Sequence, residues 1–274
     1  MPSDQTGRTA SQQLAVEYSS NALEYDRLWS PVILPMGLPL LGALPLASAS
    51  SILDLGAGTG ALLPHLRARA PNAFVYGVDY SEGMLRVAQQ KGERFLCVMD
   101  AQQPGIRAAS FDAAVLMFIL FHLPDPQAGV AGAARVLRPG GVIGMTTWAD
   151  DPALPGIVIW NEELDNAGAG PDPRDPVVMQ HGLAGNRETI ARILEEEGFT
   201  SIQLWTQRFE HRWDHTSLLT LQLGCGMARR RISTLNDERK VLCIQRVRER
   251  LMKVPVHELV WRPEVLFAVG NRRR

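Results

Sequence analysis

Only three cysteines, three lysines and four tyrosines occur among the 274 residues, and no apolar run is both long and unbroken. Cys97, Cys225 and Cys243 are odd in number and scattered, so they offer neither a disulfide framework nor metal-ligand spacing and read as reduced, buried thiols. His181, His211 and His215 share no ligand spacing either, and no metal site is expected. The apolar stretch from Pro31 to Leu46 is interrupted by Pro35, Pro39 and Pro45 and falls short of the ~20 residues a spanning helix needs. The first ten residues are polar and lack the apolar core of a secretion signal. Neither membrane nor export is therefore expected, and a cytoplasmic location is. Aromatic residues are missing between Trp213 and Trp261, which removes the stacking platform that single-stranded nucleic acid would use.

What is present is 46% hydrophobic and 21% charged, the composition of a globular protein large enough to bury a substantial core. The net charge of −1 conceals an asymmetry. Residues 227–274 carry thirteen Lys and Arg against five Asp and Glu, almost all of the positive charge being arginine. Asp237, Glu238 and Glu249 interrupt that basic stretch, and Leu242, Val247 and Leu251 fall at helical spacing within it. An amphipathic helix with a solvated basic face fits this pattern better than a nucleic-acid footprint, so nucleic acid is not the expected partner. An anionic small molecule is an intermediate possibility.

Along the chain, residues 1–11 read as disordered, 12–29 as helix and 31–46 as a short helical lead-in. Strands are then predicted at 51–55, 74–78, 95–99, 111–117 and 142–147, with helices at 60–69, 81–90 and 127–137 between them. Ser81 is placed to cap the second of these helices, and Arg138-Pro139-Gly140-Gly141 to stop the third. Such alternation implies βαβ units and a doubly wound parallel sheet. Residues 149–186, rich in Pro, Gly and Asp, break the rhythm as an insertion. A helix at 187–197 capped by Asn186, a strand at 202–209, an arginine-rich helical region at 214–254 and a last strand at 258–269 complete the reading. One domain is expected over 1–274: a helical lid region to residue 46, a ligand-binding core at 47–148, and substrate-side insertion, cap helices and final strands beyond.

The chemistry concentrates at residues 52–60. A buried strand carrying Asp54 runs into Gly56, Ala57, Gly58, Thr59 and Gly60, and helical spacing resumes at Leu62, Leu63 and Leu66. Strand, glycine turn and helix bring bare backbone N–H groups and a helix N-terminus to a ligand. Gly56-x-Gly58-x-x-Ala61 also satisfies the dinucleotide pattern, so the turn alone does not choose a ligand. The acids around it narrow the choice. Asp54 lies two residues before the first glycine, where it would repel a pyrophosphate and favour a cation. Asp79 ends the second strand, placed to accept from both hydroxyls of a ribose, and Asp100 follows the third, where it can accept from an exocyclic amine. A phosphate-free ligand with a ribose, an adenine and a positive group fits this set.

The stretches Ile52–Gly60, Gly77–Leu85, Met99-Asp100-Ala101, Phe111–Val115, His122-Leu123-Pro124-Asp125 and Arg135–Gly141 follow one another in an order and at spacings that resemble the class I S-adenosylmethionine-dependent methyltransferases, in particular their small-molecule branch. The resemblance covers about residues 50–148 and implies a Rossmann-like, seven-stranded α/β sheet with its last strand antiparallel. It also implies that the turn at Gly56, Ala57, Gly58 and Gly60 holds the methionine part of the cofactor with Asp54 near its amine. Asp79 would then bind the ribose, Tyr80 and Met84 border the adenine, Asp100 and Ala101 read its edge, and Met117 complete the cofactor site.

His122 is a candidate general base or substrate contact, with a structural loop histidine as the plainer reading. Met117 and Phe118 stand where amide-methylating relatives carry a polar motif, which points to O-, C- or S-methylation of a partly apolar acceptor. Tyr18, Tyr25, Phe118 and Trp148 are the candidate substrate contacts, and Trp160 could shape an apolar pocket or simply be buried. A small molecule is the expected partner and a homodimer is possible. The rival readings are a nicotinamide-dependent oxidoreductase on the same turn, and a protein of this fold with a non-methylating or nucleic-acid-directed role.

Overall fold

The computed structural model describes residues 3–150, 152–179 and 185–274. Helix α1 (Ser3–Ser20) already begins inside the segment expected to be disordered. After a break at Asn21 the chain makes a π-helical turn, Tyr25–Trp29, and a short apolar helix, α2 (Ser30–Gly37). Then β1 (Ser51–Leu55), α3 (Leu63–Arg69), β2 (Phe74–Asp79), α4 (Glu82–Gln90), β3 (Leu96–Val98), β4 (Phe111–Met117), α5 (Pro126–Val136) and β5 (Leu137–Asp150) follow in the predicted order. The predicted stop after the third helix works differently: α5 ends at Val136 and the chain enters β5 directly, with Arg138 to Gly141 inside the strand's irregular first turn.

The sheet order is β3-β2-β1-β4-β5-β7-β6, where β6 is Phe199–Arg208 and β7 is Glu264–Arg272. The first five strands are parallel, and β7 inserts antiparallel between β5 and β6. The α/β fold with an antiparallel last strand is thus present. Leu53, Leu55, Val115, Leu116 and Ile143 have no accessible surface, because β1, β4 and β5 are covered on both faces. Chain order reverses between β1 and β4, so the carboxyl ends of β1, β2 and β4 open on one crevice. At the opposite edge the Asp112 carboxylate accepts from the Ser50 and Ser51 amides at 2.8 and 3.0 Å and pairs with Arg138; against its burial, the Ser50 hydroxyl, Arg138 and the two amides hold its pKa well below the usual range.

Two expectations about the C-terminal half change. Residues 149–186 contain a helix, α6 (Pro155–Asn166), whose Ile159, Trp160 and Leu164 pack inward. The last strand is divided: Val260–Trp261 pairs with His211–Arg212 in a separate ribbon, and Pro263, which cannot donate to a ladder, precedes β7. The predicted helix α7 (Arg187–Glu196) is capped by Asn186, whose side chain accepts from the amides of Glu188 and Thr189. The arginine-rich region forms α8 (His215–Gly224), α9 (Gly226–Ile232) and α10 (Asp237–Leu251). With α6 these enclose a second apolar core around Trp160, Leu164, Ile232 and Val247.

Arg239, Arg246 and Arg248 of α10 are exposed, as a solvated basic face requires, whereas three other arginines act as clamps. Arg231 pairs with Asp165, Arg250 with Glu162 and Glu163, and Arg230 with Glu17 of α1 and with Asp172. Among the described residues no helix is long and apolar enough to cross a membrane.

Candidate active site

At the end of β1 the amides of Gly56 and Ala57 both donate to the carbonyl of Val78, at 2.8 and 2.9 Å, which pins the glycine turn to β2. Gly58 has φ +54° and donates its N–H to Asp79 Oδ2 at 2.8 Å. A Cβ built there would meet nothing within 4 Å, so the turn presents bare backbone to open space. Gly60 turns the other way, and a Cβ on it would meet Ala88 Cβ at 2.9 Å.

Asp79 also accepts from the Ser81 amide at 2.8 Å through Oδ1, while the Ser81 hydroxyl caps α4 by accepting from the Met84 amide. Burial raises the Asp79 pKa although the amides of Ser81, Gly58 and Tyr80 oppose the shift. Asp54 lies beneath the turn with 1% of its surface exposed, and burial, helped by the neighbouring Asp79 charge, pushes its carboxyl up to about 8. Its Oδ2 has no hydrogen-bond partner among the described residues. A buried carboxylate with an orphaned oxygen beside the half-buried Asp79, whose charge opposes its ionisation, forms a local environment that a cation would relieve. Asp100 follows β3 and is held by Gln102, whose amide donates to Oδ1 at 2.8 Å.

Helix α1 forms the facing wall. Ser19 Oγ lies 2.8 Å from Ser81 Oγ and accepts from the Gly83 amide. Gly83 lets α1 approach, since a Cβ there would sit 2.5 Å from the Ser19 backbone. The Tyr18 hydroxyl lies 3.0 Å from His122 Nε2, and the Tyr18 ring meets Tyr25 edge-on at 5.8 Å. Burial pushes the Tyr18 phenol up to about 12 and raises Tyr25 well above its ordinary value. Phe118 has φ +55°, donates its amide to the Thr146 carbonyl and stacks on Trp148 at 4.6 Å. A non-glycine residue in that conformation at a strand end marks local strain.

These walls enclose a cavity of about 780 Å³, open mouth included. Of the sequence-predicted residues it brings together Gly56, Gly58, Asp79, Tyr80, Met84, Asp100, Ala101, Met117, Phe118 and His122 from the strand ends and the segments after them, with Tyr18 and Tyr25 from the N-terminal segment. Asp54, Ala57, Gly60 and Trp148 do not line it: the first three form or support the turn from below, and Trp148 stands behind Phe118. Trp160 is fully buried in the second core. His181 lies outside the described residues, and among those described no group of three His, Cys, Asp or Glu could hold a metal.

Sequence reasoning missed Ser11, Ser81, Met99, Ile119 and Leu123 as lining residues. Ser81 had been read only as a helix cap, and its adjacency to Asp79 was the available signal. Ser11 had none, because its position depends on where α1 begins.

Residues 53–145 match the family model described as a methyltransferase domain. The aklanonic acid methyltransferase DauC of Streptomyces sp. (strain C5) is 32% identical over 142 residues, covering 49% of this chain and 64% of that protein. The nocamycin O-methyltransferase of Saccharothrix syringae is 29% identical over 207 residues, covering 70% and 71%. This chain thus spans somewhat less than two thirds of the first relative's length. Among solved structures the [4+2]-cyclase SpnF superposes with a TM-score of 0.59 at 17% identity, covering 96% of this chain and 97% of that one, a likeness of fold alone. The fold, the glycine turn and these matches define an α/β protein of the Rossmann-like methyltransferase type. Over residues 53–145 the chain carries the methyltransferase-domain match, and its relatives place it beside the class I S-adenosylmethionine-dependent methyltransferases, enzymes whose cofactor is S-adenosylmethionine. The site fits that group, for the orphaned Asp54 oxygen and the open face of Gly58 offer a cationic, phosphate-free ligand an acidic cradle.

Proposed function

We propose that this chain transfers a methyl group from S-adenosylmethionine to an oxygen, carbon or sulfur of a partly apolar small molecule, hydroxyl acceptors foremost. The carrying observation is that one cavity holds both the acidic strand ends and the Tyr18–His122 pair. The cofactor supplies an already activated methyl on a charged sulfur, so the protein's work is alignment, exclusion of water and handling of a proton. In this reading Asp79 accepts from the ribose hydroxyls, Asp100 and Ala101 face the adenine edge, Tyr80 and Met84 border it, and Met117 lies against the cofactor. Gly56 and Gly58 admit the methionine part, supported by Ala57 and Gly60, and Asp54 offsets its positive charge from beneath.

That the Tyr18 hydroxyl lies 3.0 Å from His122 Nε2 within the cavity supports a hydroxyl-binding role for this nitrogen. An acceptor hydroxyl in that place would pass its proton to Nε2 as the oxygen takes the methyl. The apolar Met117 and Phe118 supply no polar group to grip an amide, which favours O-, C- or S-acceptors. The aklanonic acid and nocamycin names of the two relatives agree with a small-molecule acceptor.

The test is calorimetric titration with S-adenosylhomocysteine and, separately, NAD. One saturable site for the former and none for the latter is expected; binding of NAD alone would replace this reading with an oxidoreductase. Turnover with His122→Ala and His122→Gln, followed against pH on a panel of phenols, tests the base. An unchanged pH profile would remove His122 from proton transfer.

A further inference from the structure

A second cavity, about 750 Å³ with its mouth, opens beneath α8 and α9. Its walls include Trp29, Trp213 and Trp261 together with Ile157 and Met227. Among the described residues no charged side chain lines it, and Gln222 is the one side-chain amide. Three tryptophans around one hollow are half of the six in the chain.

The hollow is joined to the first cavity by rings in contact. Phe118, a wall of the first cavity, stacks on Trp148 at 4.6 Å; Trp148 meets Trp261 at 5.4 Å; Trp261 meets Trp29 at 5.5 Å. The π-helical turn Tyr25–Trp29 reaches both, with Tyr25 lining the first cavity and Trp29 the second. π-Helical turns are rare and gather at functional sites. The residue closing the partition on the first side, Phe118, is the strained one.

We propose that the tryptophan-lined cavity binds the ring system of the methyl acceptor, and that this acceptor is a flat, uncharged, polycyclic or aryl molecule. Indole faces offer such a ring broad stacking area at small entropic cost, whereas a carboxylate or sulfonate buried there would have no cationic partner. The acceptor's reacting group reaches the first cavity past the Phe118 edge, and Phe118 with Trp148 forms the partition that sets how far it reaches. This proposal rests on the methyl-transfer reading for the identity of the ligand as acceptor, but the binding site itself does not.

The test uses the whole chain and two probes, neutral 1-hydroxyanthraquinone and anionic anthraquinone-2-sulfonate, with quenching of tryptophan emission as the readout. The neutral probe should quench saturably, and equally well in protein saturated with S-adenosylhomocysteine. The sulfonate should bind at least about tenfold more weakly. Ile157→Trp and Met227→Trp, which fill the hollow from α6 and α9, should each weaken the neutral probe by about tenfold while calorimetric affinity for S-adenosylhomocysteine stays within about twofold.

Equal binding of the two probes by the unaltered protein, displacement of the neutral probe by S-adenosylhomocysteine, or unchanged affinity in the filled variants would each overturn the proposal. The probe comparison needs no variant, so a misfolded substitution does not leave the question open. If S-adenosylhomocysteine fails to bind while the neutral probe behaves as expected, the methyl-transfer reading falls and the aromatic site stands.

Discussion

The two cavities on either side of Phe118 and Trp148 are opposites in chemistry. The first is built at strand ends, with Asp79 and Asp100 lining it, Asp54 buried beneath its turn and the side-chain-free Gly58 facing open space. The second is built by helices and a short ribbon, and its surface is mostly indole and aliphatic carbon with the Gln222 amide and the Met227 thioether among them. Strand ends of a parallel sheet lie close together at fixed spacing, so a few polar residues there converge on one small ligand with little freedom. Helices packed over such a sheet can shift or exchange side chains without disturbing the sheet's hydrogen bonds. In the proposed reading, recognition of a shared cofactor belongs to the first region and choice of acceptor to the second.

The sharpest way to break this division is Gly58→Val. Its Cβ and branches would enter the open space above the turn, and binding of S-adenosylhomocysteine should fall by more than about 100-fold, roughly 3 kcal/mol. Because φ is +54°, the fold should also lose about 1–3 kcal/mol, measurable by urea unfolding, without losing cooperativity. Quenching by the neutral anthraquinone probe should persist. Loss of both ligands together would show that the cavities are not separable.

The next effect is read along pH. Asp54 has its folded pKa raised from 3.8 to about 8, so the folded state prefers the neutral carboxyl. The stability this group confers is complete below about pH 4 and is lost progressively as pH rises toward 8. A bound cation reverses the preference, so affinity for S-adenosylmethionine should climb between pH 6 and 8 with uptake of ligand releasing a proton. Asp54→Asn should flatten both curves. A wild-type affinity independent of pH over that window would show that Asp54 does not sense the ligand's charge.

What could be read from the residues follows the same division. The core from Ser51 to Asp150 was legible because its strands are short apolar runs, β1 and β2 running into a glycine or ending in an acid, and because α4 and α5 carry their own caps in Ser81 and Asp125. Helix α6 was hidden by Pro155 and Gly156, although Ile157, Trp160 and Leu164 stand at helical spacing; only packing on α9 and α10 makes that spacing decisive. The arginine clamps were unreadable for a related reason. Arg230 meets Glu17, 213 residues away, and no local pattern announces such a pair. The turn's acids were visible, but whether Asp54 lines the cavity or lies under it depends on backbone direction, which spacing does not carry.

Smaller effects sharpen the comparison within the first cavity. Asp79→Ala should weaken S-adenosylhomocysteine by about 1–3 kcal/mol, the cost of leaving hydroxyls and the Gly58 and Ser81 amides without their acceptor. Calorimetry showing unchanged affinity would remove Asp79 from the ribose site.

Tyr18→Phe is the mildest change and the most discriminating. It removes one hydrogen bond between α1 and the His122 loop while keeping the ring, so α1 should loosen by about 0.5–1.5 kcal/mol and cofactor affinity should drop by no more than that. The bonds from Ser19 to Ser81 and Gly83 and from Glu17 to Arg230 still hold the helix in place. If Tyr18 only fastens the lid, methyl transfer should fall in step with cofactor affinity and its pH profile should keep its shape. If the phenol also tunes His122, the acidic limb of that profile should move while affinity does not, because a ring nitrogen that no longer faces a hydroxyl holds its proton differently. Hydrogen exchange across α1 measured beside the pH profile separates the two roles.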